Sequence, residues 1–235
     1  MIAPFRQDAA REKRALIRPG AAVAIIGLVL IAAVIGINAL VDNYRDRLSL
    51  RGRDGKPLLV HLTIGGEMLT VPADLIRFRG ERRGGTIDAV DLALHWPSLE
   101  GDGFASDDTS PAAPLVFLTL SARASELDAN ARLATVYARF FIGTPISGPA
   151  GLIGRSLASD SGYRGEVVFF TPDARFATRC LAEPTAEIPA TCLRDVNIGA
   201  GLSMLYRFDK ARLAEWQAMD GGLQRLVLGF LASRS

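Results

Sequence analysis

Two of the residue types most often recruited for chemistry, histidine and cysteine, are scarce in this chain. It has two histidines, His61 and His95, and two cysteines, Cys180 and Cys192. A Ser/His/Asp arrangement would have to recruit one of the histidines, and a two-carboxylate mechanism would have to choose among Glu67, Asp88, Asp91 and the acidic run before Pro114. No spacing singles out a set. There is no G-x-S-x-G elbow, H-E-x-x-H pair, Walker loop or complete G-x-G-x-x-G, and Gly199-Ala200-Gly201 sits where a hairpin turn is needed. A structural zinc site needs about four ligands, and the histidines lie far from the cysteines without finger-like spacing. No catalytic residue, metal site or cofactor is therefore assigned, and the enzyme question stays open with the balance against.

The cysteines have a different use. Residues 181–191, rich in Pro, Ala, Glu and Thr, separate them, and an oxidising compartment would let Cys180 and Cys192 pair. Two reduced thiols in a cytosolic domain are the alternative. Two further stretches are candidates for contact rather than catalysis. Arg77, Arg79, Arg82 and Arg83 gather in a Gly-flanked loop whose one acid is Glu81, a pattern that suits either a solvated loop or an anion-binding surface. Gly143 to Gly165 holds six glycines and two prolines, too long for a plain connection, and Arg155, Tyr163 and Arg164 within it form the second candidate surface.

These residues need elements to hold them. Val60–Ile64, Gly65-Gly66 and Glu67–Val71 read as two alternating strands joined by a two-residue turn that requires positive φ. In that register Val60 faces Val71 and Leu62 faces Leu69 on the core side, while His61 and Thr70 lie on the other. After Pro72 a short helical turn is expected to end at Phe78. Val90, Leu92, Leu94 and Trp96 mark the inner side of a further strand, with His95 on its outer side. Pro97 to Pro114 is a surface loop, and Leu115 to Leu120 is an apolar strand. Ser125 and Asp128 resemble a capping pair for a helix carrying Leu133, Val136, Tyr137, Phe140 and Phe141 on one face.

The last third reads as an antiparallel meander near Glu166–Phe170, Arg175–Cys180, Cys192–Ile198 and Leu202–Phe208. Asp209 then caps a final helix, which Gly221-Gly222 is expected to break or kink. The class is α+β, mostly antiparallel β with packed helices.

What precedes this domain is of another kind. Residues 21–41 contain no charge and one polar side chain, Asn38; as a helix they would span about 32 Å, against the roughly 30 Å of a bilayer core. The run is longer than a signal-peptide core, and Ile37-Asn38-Ala39 is a poor cleavage site. A single-pass anchor is the expectation, with cleavage as its competitor. Ala32 and Gly36 form one small-xxx-small pair. Residues 1–20 form a basic tail, residues 42–56 a charged stalk, and residues 57–235 the folded domain. Both flanks of the anchor are basic, but long domains translocate largely regardless of charge. The tail is thus expected in the cytoplasm and the domain in the periplasm of a bacterial inner membrane.

Composition fits that setting. Arginine outnumbers lysine 24 to 3, a bias typical of GC-rich bacterial genomes, and a net charge of +2 with dispersed basic residues argues against nucleic acid. The expected function is a non-enzymatic envelope module, an accessory subunit or assembly factor with a protein partner. An envelope hydrolase acting on cell-wall or lipid material and a ligand-binding sensor are the alternatives.

Overall fold

The computed structural model describes residues 27–38, 57–101, 114–183 and 190–232. The chain divides into two units, residues 1–48 and 49–235, each described by itself. In the first, residues 27–38 form helix α1, with nearly all its side chains exposed. No helix among the described residues is long and apolar enough to cross a membrane. The rest of the 21–41 run, the 1–20 tail and the 42–56 stalk lie outside the described residues.

The domain opens with the glycine-turned hairpin. β1 (Leu59–Ile64) and β2 (Glu67–Pro72) pair in the expected register, Val60 with Val71, His61 with Thr70 and Leu62 with Leu69. Gly65 and Gly66 adopt φ of 57° and 85°, which a residue with a Cβ resists. Val60, Leu62, Ile64, Leu69 and Val71 are buried, and outward-facing His61 meets the Thr70 hydroxyl at 3.2 Å. β3 (Gly85–Thr86) joins β1 in parallel, giving a three-stranded sheet of order β2-β1-β3.

The larger sheet has eight strands: β4 (Ala89–His95), β5 (Leu115–Ala122), β6 (Phe141–Ser147), β7 (Ile153–Leu157), β8 (Glu166–Phe170), β9 (Ala177–Leu181), β10 (Thr191–Ile198) and β11 (Leu202–Asp209). Their spatial order is β4-β5-β11-β10-β9-β8-β7-β6. Every neighbouring pair is antiparallel. One face carries Val90, Leu92, Leu94, Val116, Leu118, Leu120, Met204 and Tyr206, and packs with the inner face of the small sheet and the final helix into one core. Around Val168, Ala177 and Leu157 the opposite face is covered by helix α2 (Ala129–Thr135) and the 3-10 turn Tyr137–Phe140, a smaller cluster that includes Leu133 and Tyr137.

The middle of this sheet is a seam. β9 and β10 pair at two positions, Cys192 with Cys180 and Leu193 with Arg179, whereas β10 and β11 pair along eight. The Cys180–Cys192 disulfide joins the first of those positions and closes the base of the 181–191 connection. Beyond it, side chains replace the main-chain ladder. Thr178 Oγ1 donates to the Leu193 carbonyl at 3.0 Å, and Arg194 Nη1 donates to the Ala177 carbonyl at 2.8 Å.

Several expectations are corrected here. The turn after Pro72 forms, with Leu75 and Ile76 N–H donating to the Pro72 and Ala73 carbonyls at 3.1 and 3.3 Å, but it does not run to Phe78: Ile76 bridges to Leu92, and a separate 3-10 turn follows at Glu81–Arg83. The Leu75 carbonyl accepts from Ala93 N–H and Ile76 bridges to Leu92, so pairing with the edge of β4 ends the turn.

Ser125 does not cap α2. Asp128 does, accepting from the Ala131 N–H at 3.0 Å, while the Ser125 hydroxyl accepts from the Leu127 N–H at 3.0 Å in a local turn.

The 143–165 stretch is mostly a hairpin, β6 and β7 turning through Pro149–Gly151. Its glycines mimic a loop for two reasons. Gly143 and Gly151 take φ of 65° and 79°, and a Cβ on Gly154 would stand 2.6 Å from Ile146 Cγ1 and 2.8 Å from Phe169 Cε1. Gly154→Ala is thus expected to cost about 1–3 kcal/mol through overpacking, read as a lower denaturant midpoint.

Finally, α3 (Trp216–Ala232) runs unbroken through Gly221-Gly222. Asp209 caps the segment as expected, accepting from the Ala211 N–H at 2.8 Å, although its first turns are 3-10 from Lys210 to Glu215. Met219, Leu223, Val227 and Phe230 bury one face of α3, which offsets the roughly 1 kcal/mol that each interior glycine costs. Gly222 also leaves room for Leu99, whose Cδ1 lies 3.2 Å from where a Cβ would be.

Candidate functional site: an open sheet face

Alternation along a strand sends every second side chain of β4, β5, β11 and β10 away from the core. Register then aligns these side chains in rows across the sheet. Ala93, Phe117, Arg207 and Leu193 form one row, and Asp91, Thr119, Leu205 and Asp195 the next. At its Asp195 end the second row meets α2 through an Arg132–Asp195 ion pair, and Asn197 Nδ2, further along β10, donates to the Ser125 and Glu126 carbonyls ahead of α2, both at 3.2 Å. At the other end no described element covers the rows. The result is a depression of about 240 Å³ lined by Arg77, Asp91, Phe117, Thr119, Leu193, Leu205 and Arg207. Leu205 is 37% exposed.

Phe117 is the centre of this face. Arg77 Cζ lies 4.8 Å and Arg207 Cζ 5.2 Å from its ring centroid, and Arg77 also stacks on Phe78 at 4.9 Å. A guanidinium stacked by its face keeps its N–H donors pointing outward in the plane. The backbone sets Arg77 in place: its N–H donates to the Asp91 carbonyl at 2.8 Å, and Ala93 N–H donates to the Leu75 carbonyl at 2.9 Å. Arg82 braces that segment, with Nε and Nη2 donating to the Ile76 carbonyl at 2.9 and 2.7 Å. Glu81 accepts the Asp91 N–H at 3.0 Å. Burial raises the Glu81 carboxyl above its ordinary range, against the lowering effect of that bond. Asp91 in turn accepts the Thr119 hydroxyl at 2.5 Å.

The two candidate surfaces read from sequence thus fall apart into separate roles. Of the arginine loop, Arg77 reaches the open face, Arg82 is a brace, and Arg79 and Arg83 are exposed outside the depression. Of the second group, Arg155 stacks on Phe141 at 4.9 Å and donates to the Gly143 carbonyl at 3.3 Å. Tyr163 packs edge-on against Tyr137 at 5.7 Å under Arg179, which pairs with Glu166 at 2.7 Å. Arg164 is exposed.

His61 lies on the small sheet. His95 belongs to β4, and its N–H donates to the Glu100 carbonyl at 2.8 Å. Among the described residues no group of three or more His, Cys, Asp and Glu could hold a metal. Phe117, Leu193, Leu205 and Arg207 were not legible as a site. The only available signal was an aromatic or apolar residue at the outward positions of β5, β10 and β11, where polar residues are the norm.

No family model and no curated protein matches the chain. Among solved structures it is similar to an immunity protein of the Stenotrophomonas maltophilia type IV secretion system. The identity is 14% and the TM-score 0.49, over 77% of this chain and 97% of that one.

Proposed function

We propose that this chain is a single-pass membrane protein whose domain, from residue 57 onward, stands in the periplasm and holds a protein partner as an accessory or assembly subunit of an envelope complex. The uncharged 21–41 run supports the anchor. The disulfide supports an oxidising compartment. The partner reading is carried by one observation, the open face at Phe117. There an aromatic ring and two arginines, residue types enriched at protein interfaces, share one depression with an exposed leucine, beside a face that α2 covers.

The test is made on the full chain in its membrane. Alkaline phosphatase fused after Ser235 is expected to be active, and tagged protein isolated from detergent-solubilised membranes is expected to bring a partner that Phe117→Ala largely removes. His61→Ala, on the small sheet, should leave the partner in place. An inactive phosphatase fusion would refute the orientation, and recovery of the same proteins with Phe117→Ala would refute this face as the contact.

A further inference from the structure

The charges on the large sheet are matched in a telling way. Arg132 of α2 pairs with Asp195, and Arg179 of β9 with Glu166, so these two arginines already have their carboxylates. Arg194 on the inner face pairs with Asp220. Arg77 and Arg207 are exposed and, among the described residues, have no carboxylate partner; each is held instead on Phe117. A stacked guanidinium has already given up much of its rotamer freedom, so it loses less on binding an anion. The two guanidinium carbons can be no further apart than the sum of their distances to that one centroid, 4.8 and 5.2 Å. Carboxylates at alternate positions of an extended chain, about 6.8 Å apart on one side, fall within that limit. Leu193 and Leu205 beside them offer apolar contact to a third side chain on that side of the segment.

We propose that Arg77, Arg207 and Phe117 receive an acidic, extended segment of a partner protein, with a carboxylate on each guanidinium and an apolar side chain on Leu193 and Leu205. The proposal rests on the reading that this face holds a partner, and adds the partner's chemistry. A membrane surface suits the patch less well. Lipid-binding clusters gather about four to eight basic residues, whereas this depression has two, with the Asp91 carboxylate also in its lining.

The full-length protein, in nanodiscs of neutral lipid, is titrated into a labelled peptide alternating glutamate with valine and into the same peptide with glutamine for glutamate. The glutamate peptide is expected to bind about tenfold more tightly or better, with an affinity that falls steeply as salt rises. Arg77→Gln and Arg207→Gln are each expected to weaken it about tenfold. Phe117→Leu, which keeps an apolar side chain but removes the ring that stacks both arginines, should weaken it as well. Thermal melting of the two arginine variants should be unchanged, because both positions are exposed.

Equal binding of the glutamine peptide, no binding of either peptide, or indifference to both arginine substitutions overturns the proposal. Arginine-dependent binding to phosphatidylglycerol vesicles without binding to the peptide would assign the patch to a membrane instead. If the peptide fails while Phe117→Ala still strips the partner from isolated membranes, the acidic segment is wrong and the docking face stands. If Phe117→Ala also leaves the partner in place, both fall.

Discussion

Replacing Arg194 with alanine is expected to remove roughly 3–5 kcal/mol of stability, the usual cost of leaving one half of a buried ion pair alone. Arg194 is 1% exposed in the core, and four of its five N–H donors are used. Nε and Nη2 meet the two oxygens of Asp220 on α3 at 3.0 and 3.2 Å, and Nη1 meets Asn130 Oδ1 of α2 and the Ala177 carbonyl of β9, both at 2.8 Å. The guanidinium also stacks on Phe176 at 4.5 Å. Asp220 further accepts from the Tyr206 hydroxyl at 2.9 Å and from Gln224 at 3.0 Å. Burial first, and the Asp220 carboxylate second, push the Tyr206 phenol well above its ordinary pKa, so it remains a donor to that carboxylate.

One side chain thus ties two helices to the seam of the sheet, and its loss takes the guanidinium from Asp220 and one hydrogen bond from the Ala177 carbonyl. Urea unfolding of the variant should show the loss as a shifted midpoint. A double-mutant cycle with Asp220→Asn should return a coupling of about 1–3 kcal/mol. A drop under about 1 kcal/mol for Arg194→Ala would mean that the network is not the tie described here. Should the alanine variant fail to fold, Arg194→Lys is the informative substitute. It keeps the charge but cannot reach Asp220, Asn130 and Ala177 together, so it should still lose a large part of the stability.

Removing the disulfide is expected to cost a little under about 3 kcal/mol, the figure for closing a loop of about fifteen residues; here the cysteines are 12 apart in sequence. The effect should be local as well as global, because β9 and β10 share two paired positions and the cystine is one of them. In the Cys180→Ser, Cys192→Ser protein, amide exchange should accelerate in β9 and β10 far more than in β4 and β5, which pair along seven positions. Uniform acceleration across the sheet would show that the bond acts only through the unfolded chain. Combined with Arg194→Ala the two losses should not add, since both open the same seam.

The parts of this fold legible from sequence are those decided within a few residues. Gly65-Gly66 between two alternating runs dictates a turn, and a period of two then assigns each side chain its face, so the hairpin register and the outward placement of His61 follow without tertiary information. The four strands of the last third were legible in the same way, and with β9 and β10 neighbours in the chain the two cysteines fall at adjoining strand ends. Arg194 was not read from sequence, although alternation puts it on the side of β10 that carries Cys192, Val196 and Ile198.

What the chain kept hidden depends on elements distant in sequence. The glycines of β6 and β7 look like flexibility until Phe169 and Ile146 are seen to occupy the space of the Gly154 side chain. Gly221-Gly222 looks like a break until the burial of α3 outweighs it. The partners of Arg194 come from α2, β9 and α3, and none is a near neighbour in the chain. The open face exists because strand order inserts β11 between β5 and β10, bringing Phe117, Arg207 and Leu193 side by side while edge pairing on β4 delivers Arg77. Local propensity and periodicity decide which way a side chain points; only the topology decides what it meets there.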